Sequence, residues 1–187
     1  MNEKLYAQAS CERHVVLVAP EIHWNTGNIG RTCLGVDATL HLIEPLGFSL
    51  DNKQVKRAGL DYWKHVDLHI WPAFDAFMEA LLPSPEEICL FTKKGSRPFW
   101  DMPSLDRLFL IFGSETKGLP PDILARFPKA DFSIPMTTAI RSLNLSTAVG
   151  IAIYESLRAP LRSLHRSSGK PPKISPPATL EPQRTPR

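Results

Sequence analysis

Residues 131–158, DFSIPMTTAIRSLNLSTAVGIAIYESLR, are the stretch that decides how the rest of the chain folds. They predict a short buried strand at residues 132–134, ended by Pro135 because proline has no amide hydrogen to donate to a sheet. A loop rich in hydroxyl groups follows, and either Asn144 or Ser146 is expected to cap the next helix. A polar loop between a buried strand and a buried helix is where an α/β protein holds its ligand.

The helix predicted after that loop is almost entirely small or apolar from Thr147 to Tyr154. A helix with so little charge on any face is buried on most sides, either against its own sheet or against another subunit. We expect Ile153 to face a partner subunit across a two-fold axis.

Short apolar runs and helical patterns alternate along the rest of the chain. Strands are predicted at residues 14–19, 40–43, 68–71, 88–92 and 108–112. Helices are predicted after the turn at residues 25–28, over the polar segment with Lys53, Lys56 and Arg57, and at residues 73–82 and 122–127. Together they predict an α/β fold with a parallel sheet and helices on both faces.

The composition indicates one domain with extensions. The chain has 187 residues, of which 43% are hydrophobic and 22% charged. We expect an N-terminal extension at residues 1–13, a domain at 14–160 and a Pro-rich, basic, disordered tail at 161–187. From Arg158 onward, seven lysines and arginines face the single Glu181, so this end carries a net charge of +6 and the rest −3. The tail is either simply solvated or a basic arm that grips RNA.

Several classes of protein do not fit the sequence. It has no apolar run of membrane-spanning length and no signal-peptide core, so we expect a cytoplasmic, soluble protein. The three cysteines are far apart, which argues against a disulfide framework and against a zinc site. No G-x-G-x-x-G, P-loop or G-x-S-x-G pattern occurs, so nucleotide-cofactor sites of those types and serine-triad hydrolysis are poorly supported.

Four loops are predicted at the carboxyl edge of the sheet: residues 25–31, 91–95, 113–120 and 135–144. They offer backbone amides, hydroxyl groups and small residues that suit an adenosine-like ligand, and Gly113 and Gly118 allow close backbone approach. Glu115 either contributes an acid to this site or caps the following turn. Arg31 either points at the strand edge or lies on the surface.

Three of these loops carry a family resemblance. NTGNIGR at 25–31, FGSETKGLP at 112–120 and IPMTTAIRSLNLSTAV at 134–149 resemble, in order, the three motifs of the SpoU class of SPOUT RNA 2′-O-methyltransferases. EPLGF at 44–48 and RAGLDYW at 57–63 resemble the small single-domain type called TrmL or YibK-like. The resemblance covers residues 14–157.

The resemblance implies a fold, a reaction and partners. The fold is a SPOUT α/β knot, in which the C-terminal part of the parallel sheet is tied in a trefoil. The reaction moves a methyl group from S-adenosyl-L-methionine to the wobble ribose at position 34, cytidine or uridine, of leucine tRNAs, without a metal. The partners are the anticodon stem-loop of the tRNA and a second copy of the chain, which lends residues to each active site.

The resemblance also implies site residues. The predicted catalytic residues are Arg31, Asn25, Glu115 and Asn144. The predicted cofactor-binding residues are Phe91, Thr92, Gly113, Glu115, Gly118, Ile134, Met136, Ser142, Leu143 and Asn144. The predicted RNA-binding residues are Arg31, Lys56, Arg57, Arg141 and Tyr154.

Arg31 is best interpreted as a clamp. The pKa of arginine lies above about 12, which makes it a poor general base. A guanidinium that grips the neighbouring phosphate would instead orient the hydroxyl and stabilise developing negative charge. Asn25 and Asn144 would hold the loops or accept a hydrogen bond from that hydroxyl.

The chain departs from the family at one place, since His23 and Trp24 stand where two prolines are usual before NTGN. Two alternatives remain open for the whole protein. One is the same chemistry on ribosomal RNA or at another tRNA position. The other is a noncatalytic RNA-binding module of the same fold.

Overall fold

The computed structural model describes residues 11–49 and 62–168, with side chains described as far as residue 160. Within these residues there are seven strands: β1 Glu12–Val18, β2 Thr39–Ile43, β3 Leu68–Trp71, β4 Ile88–Phe91, β5 Arg97–Pro98, β6 Arg107–Phe112 and β7 Asp131–Ser133. The four helices of the same part are α1 His23–Gly35, α2 Phe74–Leu81, α3 Pro121–Arg126 and α4 Leu145–Ser168. Single 3₁₀ turns lie at Trp63–His65, Pro85–Glu87 and Phe99–Asp101.

The strands form one sheet in the order β3-β2-β1-β6-β4-β7-β5, and every neighbouring pair is parallel. The predicted parallel sheet is therefore confirmed. The sequence did not predict β5, which has only two residues and includes Pro98. An outermost strand tolerates proline because the missing amide leaves no neighbouring strand unpaired.

Helices cover both faces of the sheet, as the sequence predicts. Val15 and Leu17 of β1 point into a core cluster shared with α1 and α4. Val16 and Val18 point the opposite way, into a cluster with Phe77 of α2. Ile123 of α3 belongs to the same second cluster. The continuous apolar run of β1 is thus explained by burial on both faces.

Helix α4 packs against its own sheet, so the expectation that Ile153 faces a partner is wrong. Ile153 is fully buried in the cluster beside α1. The helix is also fixed by the buried Arg13, whose guanidinium donates to the hydroxyl and carbonyl oxygens of Ser156, at 3.1 and 3.0 Å. The exposed positions of α4 include Thr147, Tyr154 and Arg158.

The predicted turn at residues 25–28 is wrong, because α1 begins at His23 and these residues lie in its first turns. The predicted strands and the predicted helices at residues 73–82 and 122–127 are present, with ends that differ by one or two residues. The predicted polar helix with Lys53, Lys56 and Arg57 lies outside the described residues. Helix α4 continues to Ser168 with Pro160 inside it, past the predicted start of the tail at 161. The domain limits and the trefoil knot stay predictions.

No helix in the described part of the chain is both long and apolar enough to cross a membrane.

Three histidines lie side by side on neighbouring strands of one sheet face. The rings of His14 and His41 are 5.2 Å apart, and those of His41 and His69 are 5.4 Å apart. The indole of Trp71 donates to Nδ1 of His41 at 3.1 Å. His41 therefore carries its proton on Nε2 and donates it to Nδ1 of His14, 3.0 Å away. Burial, and then the charges of His14 and His69, lower the pKa of His41 to about 3.

This arrangement predicts a pH-dependent loss of stability. The pKa of His41 is lower in the folded protein than in the unfolded chain. The contribution of neutral His41 to the free energy of unfolding is therefore complete above about pH 6.5 and is lost as the pH falls towards 3. Between pH 6 and pH 4, His41→Gln is expected to flatten the decline in the free energy of unfolding by about 1 kcal/mol per pH unit. Urea unfolding at several pH values measures this. His65→Gln, which changes an exposed histidine, serves as control. If the free energy of unfolding changed equally with pH in both variants, the lowered pKa of His41 would be contradicted.

Candidate active site

A cavity of about 570 Å³ opens at the carboxyl ends of β4, β6 and β7. This volume lies within the range of small-molecule and cofactor sites. All ten residues that the sequence predicts to bind a cofactor line it. Loops 91–95, 113–120 and 135–144 therefore converge, as loops after parallel strands do.

The inner part of the cavity is apolar. Phe91 and Phe112 stack with their ring centroids 4.7 Å apart, and Leu119, Ile134 and Leu145 complete the wall. A flat, aromatic surface of this kind accepts a planar heterocycle by stacking.

The loop after β6 folds back on itself so tightly that Gly113 has no room for a side chain. A Cβ atom there would lie 1.9 Å from the carbonyl carbon of Gly118. Gly118 has a φ of 72°, in the left-handed region, and its amide donates to the carbonyl of Ser114 at 2.9 Å. The backbone of this loop can therefore approach a ligand without intervening side chains.

A chain of hydrogen bonds joins three segments that are remote in sequence. Nδ2 of Asn25, in the first turn of α1, donates to Oε1 of Glu115 at 2.8 Å. Oδ1 of Asn25 accepts from Nδ2 of Asn144 at 2.9 Å. Oε2 of Glu115 accepts from the amide of Glu21 at 2.8 Å, just before α1. Since all three side chains line the cavity, this network fixes its wall.

Both ends of the network are tied to the backbone. Oδ1 of Asn144 accepts from the amide and the hydroxyl of Ser146, at 2.9 and 2.7 Å. Asn144 is therefore the N-cap of α4, and Ser146 is not. At the other end the Thr116 amide donates to the carboxylate of Glu21 at 3.1 Å and its hydroxyl donates to the same oxygen. The pKa of Glu21 is lowered, chiefly by that hydroxyl and to a smaller degree by the charge of Lys117.

Arg31 is the predicted catalytic residue that the structure leaves outside the cavity. It lies six residues after Asn25, about 9 Å further along α1, and its side chain is exposed. Its guanidinium carbon lies 4.6 Å from the ring centroid of Tyr62, whose hydroxyl donates to the carbonyl of Gly27 at 2.9 Å. Of the remaining three predicted catalytic residues, Asn25 forms hydrogen bonds with both Glu115 and Asn144.

The predicted RNA-binding residues are divided between described and undescribed parts. Arg141 lies exposed on the loop before α4, and Tyr154 is exposed on α4. Lys56 and Arg57 lie outside the described residues. The roles of all of these residues stay predictions.

Sequence reasoning missed three lysines that line the cavity: Lys93, Lys94 and Lys117. All three are exposed, so they form a cationic rim around an apolar interior. The signal was present for two of them, since Lys93 and Lys94 follow the buried strand β4, after Thr92, at the carboxyl edge. Within the described residues, no group of three or more His, Cys, Asp or Glu side chains could hold a metal ion.

Comparison with known proteins gives one family. The model of the SpoU rRNA methylase family matches residues 12–154. A Burkholderia ambifaria protein named tRNA (cytidine(34)-2′-O)-methyltransferase is 46% identical over 146 residues, which are 78% of this chain and 94% of that protein. The corresponding Burkholderia cenocepacia protein is 47% identical with the same coverage.

Solved structures agree with these relatives. One of them comes from work on 2-OH methylation of C/U34 on tRNA, and its sequence is 46% identical to this chain. The match covers 79% of this chain and 90% of that chain, with a TM-score of 0.72. A second, an AdoMet-bound rRNA methyltransferase from Sinorhizobium meliloti, is 25% identical with a TM-score of 0.69. It covers 79% of this chain, which spans 56% of that protein.

The tight loop at Gly113 predicts a large effect of one methyl group. Gly113→Ala places a Cβ atom 2.1 Å from the amide nitrogen of Leu119, so the backbone has to move. We expect a loss of about 1–3 kcal/mol in the free energy of unfolding. The matched control is Gly35→Ala, which meets nothing within 4 Å and should leave stability unchanged or slightly higher. Equal stabilities in urea unfolding would contradict this loop conformation.

Proposed function

The chain belongs to the SpoU rRNA methylase family, and on that premise we propose that it methylates the ribose 2′-hydroxyl at wobble position 34 of tRNA. The methyl donor is S-adenosyl-L-methionine. The observation that carries the proposal is the 46% identity to an enzyme named for this reaction, over 94% of that enzyme's length. Cytidine or uridine of leucine tRNAs is the proposed target, and the cytoplasm the proposed location.

The cavity fits the cofactor. Its stacked phenylalanines, Phe91 and Phe112, offer a surface for adenine. The glycine-rich loop offers backbone groups, and Ser142 and Thr92 offer hydroxyls. The related Sinorhizobium meliloti enzyme was solved with the same cofactor bound. When bound, S-adenosyl-L-methionine supplies a methyl group on a positively charged sulfur, which is already a strong donor.

The protein has mainly to align this donor with the ribose hydroxyl. The network of Asn25, Glu115 and Asn144 holds the cavity wall in one conformation, so alignment costs little reorganisation when substrate arrives. Lys93, Lys94 and Lys117 at the rim favour the approach of a polyanion. Arg31 clamps the phosphate next to the reacting ribose and orients its 2′-hydroxyl.

A homodimer explains how Arg31 can act in the reaction although it lies outside the cavity of its own protomer. In its own protomer Arg31 lies outside the cavity and is exposed. We place it at the mouth of the partner's cavity, across a two-fold axis. The outward face of α4 is suited to such a contact: Gly150 has open space above it, Ile151 is half-buried, and Tyr154 is 53% exposed. Small and apolar residues of this kind favour a self-complementary interface.

The direct test is methyl transfer in vitro from labelled S-adenosyl-L-methionine. We expect transfer to the anticodon stem-loop of a leucine tRNA with a 2′-hydroxyl at position 34, and none to the same RNA with 2′-deoxyribose there. Ribosomal RNA is the competing substrate. Transfer that survives the 2′-deoxy substitution, or that occurs only on ribosomal RNA, would exclude the proposed site.

Arg31→Ala is expected to lower methyl transfer by on the order of a hundredfold, because an electrostatic contact to the reacting group is lost. Its affinity for S-adenosyl-L-methionine, measured by calorimetry, should be nearly unchanged since Arg31 lies outside the cavity. Arg31→Lys should restore little, because a point charge cannot replace a bidentate guanidinium. Nearly full activity of the lysine variant would argue against the clamp.

Mixing two inactive variants tests whether Arg31 acts in the partner's site. Asn144→Ala damages the cavity and Arg31→Ala damages the clamp. If the clamp acts across the interface, an equal mixture after subunit exchange contains hybrid dimers with one intact site, and about a quarter of wild-type activity returns. No recovery despite verified exchange would place Arg31 in its own protomer's reaction.

A further inference from the structure

The guanidinium of Arg31 lies against the face of an aromatic ring. Its central carbon is 4.6 Å from the ring centroid of Tyr62, which is within the range of a cation–π contact. Arg31 is exposed on α1, whereas Tyr62 is partly buried. Among the described residues, no carboxylate forms an ion pair with Arg31. In this part of the chain, the tyrosine ring is therefore the group that orients the arginine side chain.

The tyrosine ring is itself fixed to the helix that carries Arg31. The hydroxyl of Tyr62 donates to the carbonyl oxygen of Gly27 at 2.9 Å. Gly27 lies four residues before Arg31, which is about one turn of α1. Tyr62 thus contacts two successive turns of the same helix, with its hydroxyl on one and its ring face on the next. Its ring has little freedom to turn away from the guanidinium.

The backbone that carries Tyr62 is also packed directly on α1. The next residue, Trp63, lies so close to Gly30 that a Cβ atom there would be 2.5 Å from Cζ3 of the indole. Trp63 packs against the core cluster beside α1 as well. The amide of His65 donates to the carbonyl of Tyr62 at 2.9 Å and closes the turn. The turn and the helix therefore hold Tyr62 and Arg31 at a fixed separation.

We propose that Tyr62 is a positioning residue, which holds the guanidinium of Arg31 in the orientation that grips phosphate. The inference rests on the proposed function, in which Arg31 clamps the phosphate next to the reacting ribose. An unsupported arginine side chain samples many rotamers, and gripping a phosphate requires one of them. Because the ring of Tyr62 restricts Arg31 before the RNA arrives, less conformational freedom is lost when the clamp closes.

An aromatic ring orients a guanidinium without occupying the groups that bind a substrate. The cation–π contact uses the flat face of the guanidinium, whereas its N–H donors lie in the plane. A carboxylate would orient the side chain equally well, but it would accept those N–H bonds itself and neutralise the charge. Stacking on Tyr62 therefore leaves Arg31 with its positive charge and with in-plane donors for a bidentate contact to phosphate.

The test is a double-mutant cycle on the single-turnover rate of methyl transfer to an anticodon stem-loop. In the wild-type background, Tyr62→Leu is expected to lower this rate by about tenfold, because it removes the cation–π contact. In the Arg31→Ala background, the same substitution should change the remaining rate by less than about twofold, since there is no guanidinium left to orient. The KM for S-adenosyl-L-methionine should stay unchanged, because Tyr62 is not among the described residues that line the cavity.

Two further variants separate the ring from other effects. Tyr62→Phe keeps the ring and loses only the hydroxyl bond to Gly27, so its rate should stay within about threefold of wild type. The matched control is Phe127→Leu, which removes a ring centred 5.7 Å from the guanidinium carbon of Arg126. Phe127 packs against the core cluster on the opposite face of the sheet, and this variant should methylate RNA like wild type.

A nuclear magnetic resonance signal reports on the contact independently of activity. Protons held above the face of an aromatic ring resonate at lower chemical shift than free ones. The side-chain protons of Arg31 should show this displacement in wild type and in Tyr62→Phe, and Tyr62→Leu should abolish it. The signals of Arg31 are identified by their absence from the spectrum of Arg31→Ala.

Other outcomes would overturn the proposal in distinguishable ways. An equal loss of rate from Tyr62→Leu in both backgrounds makes Tyr62 a structural residue and leaves the proposed function intact. A Tyr62→Phe enzyme as slow as Tyr62→Leu assigns the effect to the hydroxyl instead of the ring. Undisplaced Arg31 protons in wild type exclude the contact, even if Tyr62→Leu fails to fold. If wild type does not methylate the stem-loop, or if Arg31→Ala is fully active, the proposed function or its clamp fails and the positioning role with it.

Discussion

The side-chain amide of Asn25 is the contact on which the candidate site depends. It donates to Glu115 and accepts from Asn144, residues 90 and 119 positions further along the chain. Asn25 is 4% exposed, so little water is available to replace either partner. Losing one hydrogen bond would leave a buried polar group unpaired, at a cost of about 1–3 kcal/mol. One side chain thereby holds the start of α1, the loop after β6 and the cap of α4 in a single arrangement.

Much of the fold could be predicted from local patterns, because apolar runs such as β1 are buried on both faces of a parallel sheet. The start of α1 could not. Its N-cap, Ile22, makes no side-chain capping bond, and Asn25, Gly27 and Asn28 are typical turn residues. The contacts that hold Asn25 in a helix come from distant segments, and no local pattern contains them. Likewise, periodicity identified α4 as buried, but which side faced the sheet depended on its packing against α1 and on the anchor at Arg13.

Only part of the candidate site could be predicted, again because contacts between distant segments are not contained in local sequence patterns. The ten residues predicted by family resemblance to bind the cofactor converge on one cavity, since motifs after parallel strands meet at one edge. Lys93 and Lys94 had a signal in the sequence, since they follow the buried strand β4, whereas Lys117 could be grouped with them only when the loops were placed together. Arg31 belongs to the same motif as Asn25, which lines the cavity, yet helix geometry places Arg31 on the exposed face of α1. One protomer therefore provides the cavity that we propose for the cofactor and, separately, an exposed face of α1 that carries Arg31.

Mapping of ribose 2′-O-methylation across all RNA, from cells with and without this gene, tests the central claim most directly. We expect that loss of the gene removes methylation at position 34 of leucine tRNAs. Returning the wild-type gene is expected to restore this methylation. Methylation that is lost only in ribosomal RNA or at another tRNA position, with position 34 unchanged, would contradict it.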